Sequence, residues 1–116
     1  MLLANRVAIV TGASGALGSA MATALSESGA TVVVNYARNA AAAESLVAKL
    51  TEAGGTALAV QADISTMAGA EALVKATTEA FGRVDILVNN AGVTRDQLLM
   101  RMKEEEWDAV LDTNLK

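Results

Sequence analysis

The residues able to do chemistry in this chain fall into four short segments and one isolated position. Cysteine and histidine are absent. Their absence removes thiolate nucleophiles, disulfides and cysteine zinc sites, along with the one side chain that titrates near neutrality when unperturbed. A single Tyr, Tyr36, and a single Trp, Trp107, are present. The first segment is Thr11-Gly12-Ala13-Ser14-Gly15-Ala16-Leu17-Gly18. Glycines three apart where a strand gives way to a helix let the backbone turn sharply and approach a ligand. The helix then aims free N–H groups and its positive dipole end at a phosphate. The plain alternative is a tight turn whose glycines only permit packing. No Gly-Lys-Ser/Thr completes a P-loop, and no acidic pair ends the first strand as a phosphoacceptor site would require.

The second segment, Asn35-Tyr36-Ala37-Arg38, carries no acid and one guanidinium. Its fork suits a phosphate dianion, through two charge-assisted bonds, or it is a solvated Arg near a helix start. Asp63-Ile64 offers a carboxylate that either meets a ligand or serves the turn before Ser65. Asn89-Asn90-Ala91-Gly92 ends an apolar run, where Asn is also ordinary turn chemistry. Asn114 lies seven residues after Trp107, on an apolar stripe. Its alternative is a helix-ending Asn in the left-handed conformation.

Alternating periods supply the elements that position these segments. Residues 7–10 are continuously apolar, as in a strand buried on both faces. Leu17, Met21, Leu25 and Ser28 then recur at helical spacing, with Gly29 after them. Residues 31–35 form the second strand. Asn39 is placed to cap a helix through Leu46, Val47 and Leu50 that stops at Gly54-Gly55. Residues 56–62 form the third strand, and Ser65 or Thr66 opens a helix whose inner face holds Ala70, Leu73, Val74, Thr77 and Phe81, with Gly82 after its end. Residues 84–89 are the fourth strand. A loop from Ala91 leads to a last helix, where Glu104, Glu105 and Glu106 suit the positive end and Trp107, Val110 and Leu111 face inward. Strands separated by helices imply right-handed crossovers and a parallel sheet. The expected architecture is one α/β domain over residues 1–116, a Rossmann-like half with four strands in the order 3-2-1-4.

At 116 residues, with 53% hydrophobic and 19% charged residues, the chain is one domain with enough apolar surface for a core. Its formal charge of −4 leaves no basic stripe for a nucleic-acid backbone. No apolar run approaches a membrane span, and no leader precedes the first strand, so a cytoplasmic protein is expected.

The glycine turn resembles the Thr-Gly-x-x-x-Gly-x-Gly motif of the short-chain dehydrogenase/reductase family. Asn89-Asn90-Ala91-Gly92 matches that family's Asn-Asn-Ala-Gly motif, and Asn114 sits where the family carries a catalytic Asn. The stretches Val33-Val34-Asn35-Tyr36-Ala37-Arg38 and Thr94-Arg95-Asp96-Gln97-Leu98-Leu99-Met100-Arg101-Met102 are similar to one branch, the β-ketoacyl-acyl-carrier-protein reductases of type II fatty-acid synthesis. The resemblance implies a nicotinamide cofactor held by Gly12, Ser14, Gly15, Leu17 and Gly18 at the turn. It also implies Tyr36 and Arg38 at the adenosine ribose, Asp63 and Ile64 at adenine, and Asn90, Ala91 and Gly92 along the ribose and diphosphate. Asn89 is expected to help fix the end of strand four with Thr11. With no acid after strand two and Arg38 present, NADP is expected over NAD. Two departures stand out. Ala16 replaces the motif's middle glycine, where its methyl could crowd the turn, and Gly15 stands where this branch often has Arg.

Family enzymes use a Tyr and a Lys four residues later, with a Ser orienting the carbonyl. Here Tyr36 is followed at that spacing by Ala40. The chain is therefore expected to be an isolated first half that binds the adenosine-phosphate part of NADP weakly and does not reduce carbonyls alone. The alternative is a structural, self-associating module without useful nucleotide affinity. Strand four would be left with an open, apolar edge, so a homodimer through that edge is expected, with strand order 3-2-1-4-4′-1′-2′-3′.

Overall fold

The computed structural model describes residues 2–13 and 15–90 and, as backbone, residues 98–101. Strand β1 (Val7–Val10), helix α1 (Ala16–Glu27), β2 (Thr31–Tyr36), α2 (Ala40–Glu52), β3 (Ala57–Gln61), α3 (Met67–Phe81) and β4 (Ile86–Asn89) follow one another as the alternating periods require. The four strands are parallel, in the order β3-β2-β1-β4, with Val10 beside Val34 on one flank and Val88 on the other.

Local signals set the helix boundaries. The Asn39 side chain accepts from the Ala42 amide at 3.0 Å, and Thr66 Oγ1 accepts from the Gly69 amide at 2.9 Å. Thr66, rather than Ser65, is thus the cap of α3. Gly29, Gly54 and Gly82 follow the three helices with positive φ.

The sheet separates two cores. Val10, Val32, Val34 and Val88 pack with Ala22 of α1 and with Ala43, Leu46 and Leu50 of α2, whereas Ile9, Val33 and Val84 pack with Leu73 of α3. The two crossovers that step outward from β1 share one face. The crossover that returns past β1 to β4 takes the other, as right-handed connections demand.

Of the residues at helical spacing on α1, Leu17 stands outside the packed face. It is 53% exposed, while Gly18 and Ala22 are buried and Met21 and Leu25 flank them. The smallest residues take the innermost line and bring the helix close to the sheet, which turns Leu17, one residue before Gly18, away from it. One expectation needs correction: the edge of β4 is not open. A fifth strand, β5 (Leu98–Arg101), runs antiparallel along it, pairing Leu87 with Met100 and Val88 with Leu99. The chain's own backbone thus satisfies the donors and acceptors that were expected to recruit a second copy. The expected last helix, with Trp107, Val110, Leu111 and Asn114, lies outside the described residues.

Candidate functional site

The C-terminal ends of β1 and β4 meet where the strand order reverses direction, the position at which open α/β sheets bind ligands. Thr11, directly after β1 and 2% exposed, organises this rim. Its backbone amide donates to Val88 O at 3.0 Å, and its hydroxyl lies 3.1 Å from Asn89 Oδ1 and 3.3 Å from Val88 O. The same oxygen accepts from the Asn90 amide at 2.8 Å, and Asn90 Nδ2 donates to Gly12 O at 3.3 Å. The expected contact of Asn89 with Thr11 is therefore present. The first and fourth motif segments, 78 residues apart in sequence at Thr11 and Asn89, form one neutral hydrogen-bonded unit.

The glycine turn fits closely against that unit. Gly12 has a φ of 62°, a conformation that side chains resist. At Gly18 an added Cβ would lie 2.6 Å from both Ala13 Cα and Gly12 O, and 3.0 Å from Asn90 Nδ2. Glycine here lets α1 start against the turn. Gly15 is different. It is the N-cap of α1, exposed, and the nearest atom to an added Cβ is Gly12 O at 3.9 Å. Ala16 is exposed at the first helical position. No side chain caps α1 and no acid occupies its first turn. Its leading amides are the kind of donors that an anion satisfies.

A cleft of about 280 Å³ opens beside the turn, lined by Gly12, Asn35, Ala37, Ala62, Asp63, Ile64, Ser65 and Asn89. Asp63 and Ile64 are thus brought to the same hollow as Gly12. Asp63 also serves its turn: Oδ1 accepts from the Ser65 hydroxyl at 2.6 Å and from the Ser65 amide at 3.0 Å. These two bonds, and to a lesser degree the nearby charge of Arg38, hold the Asp63 carboxyl below its ordinary value against the opposing effect of desolvation. The group is an ionised acceptor at neutral pH. Both readings of Asp63 are compatible with this geometry, since one oxygen holds the turn and no described donor reaches the other.

Arg38 is exposed just after β2, and no ion pair within 4.0 Å engages it among the described residues. Tyr36, the last residue of β2, is half-buried against the core on the α1 and α2 side, and it does not line the cleft. Leu17 stands exposed in the first turn of α1. Ser14, Ala91, Gly92 and Asn114 lie outside the described residues. Asn35 carried no separate role in the sequence beyond its motif, yet it is 2% exposed and its amide bonds two carbonyls of β3 and the residue after it. An isolated polar residue closing an apolar strand was the only signal. A larger hollow of about 560 Å³ lies between α1 and α2, lined by residues such as Ser19, Thr23, Ser45 and Lys49. No group of three or more potential metal ligands occurs among the described residues.

Comparison with known proteins agrees with this geometry. A family model described as short chain dehydrogenase matches residues 6–116. The 3-oxoacyl-[acyl-carrier-protein] reductase of Synechocystis sp. is 51% identical over 113 residues, covering 97% of this chain and 46% of the relative. A Staphylococcus aureus protein of the same description is 49% identical over 112 residues, again with 97% and 46% covered. This chain therefore spans about half the length of the curated relatives it matches. Among solved structures, a short chain dehydrogenase from Burkholderia cenocepacia in complex with NADP superposes with a TM-score of 0.76 at 40% identity, covering 83% of this chain and 39% of that one. One from Mycobacterium avium gives 0.76 at 41% identity, covering 83% and 36%.

Proposed function

Because this chain belongs to the short-chain dehydrogenase family, we propose that it binds the adenosine-phosphate part of NADP and, by itself, carries out no carbonyl reduction. The observation that carries this reading is the cleft that joins Gly12 of the turn to Asp63 and Ile64 after β3. Turn and cleft together fit a nucleotide. The close approach at Gly18 leaves the first-turn amides of α1 clear for a diphosphate, and the ionised Asp63 can accept from an adenine amino group. Arg38 would hold the 2′-phosphate with its fork, and an acid that would repel that phosphate is missing after β2. Gly15, Leu17, Asn90, Ala91 and Gly92 would complete the ribose and diphosphate side, with Ser14 in the turn. The neighbour of known structure that holds NADP supports this choice of cofactor.

Bound NADPH supplies a hydride; a reductase must also position a proton donor, and general acid catalysis contributes ~10²–10⁴-fold. Tyr36 is the only Tyr, and the residue four places on is Ala40, so this chain holds no Tyr-Lys pair. Asn114 is placed by motif at a catalytic family position, without its partners. The parent activity, reduction of a 3-oxoacyl thioester carried by acyl carrier protein, is inferred from the relatives' names. Among the described residues no helix is long and apolar enough to cross a membrane, in keeping with a cytoplasmic nucleotide-binding role.

Titration calorimetry with NADP, NAD and adenosine 2′,5′-bisphosphate tests the reading. The expected Kd for NADP is in the range of roughly 10 µM to 1 mM, because contacts to the nicotinamide half are few. The bisphosphate should bind nearly as well. Equal affinity for NAD and NADP would remove Arg38 from its role, and no binding at all would leave only a structural module. NADPH absorbance with an acetoacetyl thioester should show no turnover.

A further inference from the structure

Asn35 closes the run Val32, Val33 and Val34 and is as buried as they are, with 2% exposure. A polar side chain in that row must find partners or destabilise the fold. Its Nδ2 donates to Val60 O at 3.2 Å and Ala62 O at 3.3 Å. Both partners are carbonyl oxygens, which only accept, so the NH₂ side of the amide must face β3 and Oδ1 must face away from it. Among the described residues no donor reaches Oδ1. The backbone oxygen of the same residue accepts from the Ala13 amide at 3.1 Å.

These three bonds join the walls of one hollow. Ala13 belongs to the glycine turn, Asn35 ends the β2 wall, and Ala62 leads into Asp63, Ile64 and Ser65. Asn35 itself lines the cleft between Gly12 and Ala62. The β2–β3 ladder has its last pair at Tyr36 and Gln61; beyond it the Ala62 amide still donates to Tyr36 O at 3.0 Å, and the Asn35 amide adds a second link, to the Ala62 carbonyl.

We propose that the Asn35 side chain is a positioning group that sets the width of the nucleotide cleft by tying the β3–α3 turn to the end of β2, while the backbone oxygen of the same residue, which any substitution keeps, holds the glycine turn. The proposal rests on the nucleotide-binding reading above. It concerns affinity for the adenosine part common to NAD and NADP, whereas Arg38 concerns the choice between them. Asn35→Leu keeps the volume and removes both donors; Asn35→Ser keeps one. Asn35→Leu should raise the Kd for adenosine 2′,5′-bisphosphate and for NAD by tenfold or more, leaving their ratio unchanged, and Asn35→Ser should fall between it and the parent. Arg38→Ala should move the ratio instead. A lowered Tm with both affinities intact would overturn the proposal, because a merely structural residue behaves that way. Should the parent chain bind neither nucleotide, the functional reading fails, and amide hydrogen exchange then judges the clamp separately. Faster exchange at Ala62 in Asn35→Ser, with Leu46 in α2 unchanged, would support it, and unchanged exchange at Ala62 would overturn it.

Discussion

Strands β1 and β4 build both ends of the sheet beside each other, and the two ends treat charge in opposite ways. At the N-terminal end, Asp85 is 8% exposed yet ionised. Its Oδ2 accepts from the Val7 amide and from Arg83 Nε, each at 2.9 Å, while Oδ1 accepts from Arg83 Nη2 at 2.8 Å and faces Arg6 Nη1 at 3.6 Å. At the C-terminal end the groups that hold the scaffold are neutral: the buried Thr11 hydroxyl and Asn35 amide, with half-buried Asn89 and Asn90. The charged groups there, Arg38 and Asp63, stand exposed at the rim. One end consumes its charges internally to hold the start of β1 against β4. The other keeps its charges at the surface, where a ligand can meet them, and uses neutral bonds to hold the scaffold beneath. A buried carboxylate is tolerable only when fully paired, so a rim that must release and rebind an anionic ligand is better built on groups that need no counter-charge.

The comparison can be broken most severely at Gly18. Gly18→Val should destabilise the chain by about 3 kcal/mol and abolish nucleotide binding, because the new side chain meets backbone at Ala13 and Gly12, which cannot rotate aside. Urea unfolding and calorimetry on the same sample would read both effects.

At the opposite end, Asp85→Ala should cost about 2 kcal/mol, the loss of a paired buried acid discounted because both arginines are partly exposed. The pH dependence has a fixed sign. Burial alone would raise the Asp85 pKa, but the bonds from Arg83 and the Val7 amide and the charges of Arg83 and Arg6 outweigh it, leaving the pKa below the ordinary value of 3.8. The stabilisation is therefore complete above that value and lost as pH falls from it through the lower folded-state pKa. The urea midpoint of the parent should drop more between pH 7 and pH 3 than that of Asp85→Ala, with nucleotide affinity at pH 7 the same in both.

Arg38→Ala sharpens the contrast from the ligand side. It should weaken NADP by about tenfold, equivalent to ~1.4 kcal/mol, leave NAD nearly unchanged, and leave the unfolding midpoint where it was. Gly15→Ser should do least. The site has room for the side chain, and a serine cap in place of glycine is worth only a few tenths of a kcal/mol, so a shift in Tm of about one degree upward is expected.

The sequence by itself determined the elements and their order, because those features depend on neighbours along the chain. Apolar runs of period two or none gave four strands. Asn39 and the Ser65-Thr66 pair marked helix starts, Gly82 an end, and the Gly12–Gly18 spacing the turn. The tertiary structure decided which other polar groups meet, the contact of Thr11 with Asn89 having been legible in the motif resemblance. Nothing local joins Asn35 to Ala62 or Asp85 to Val7, since each pair is brought together by parallel strands whose connections run through whole helices. Helical spacing marks an apolar stripe but not which line of it the sheet accepts: Gly18 and Ala22 took that line, and Leu17 stands outside it. Leu98–Arg101 fell in a segment read as the loop from Ala91. Three apolar residues and an arginine carry no period long enough to mark a strand, and the edge of β4 makes them one by offering them hydrogen bonds.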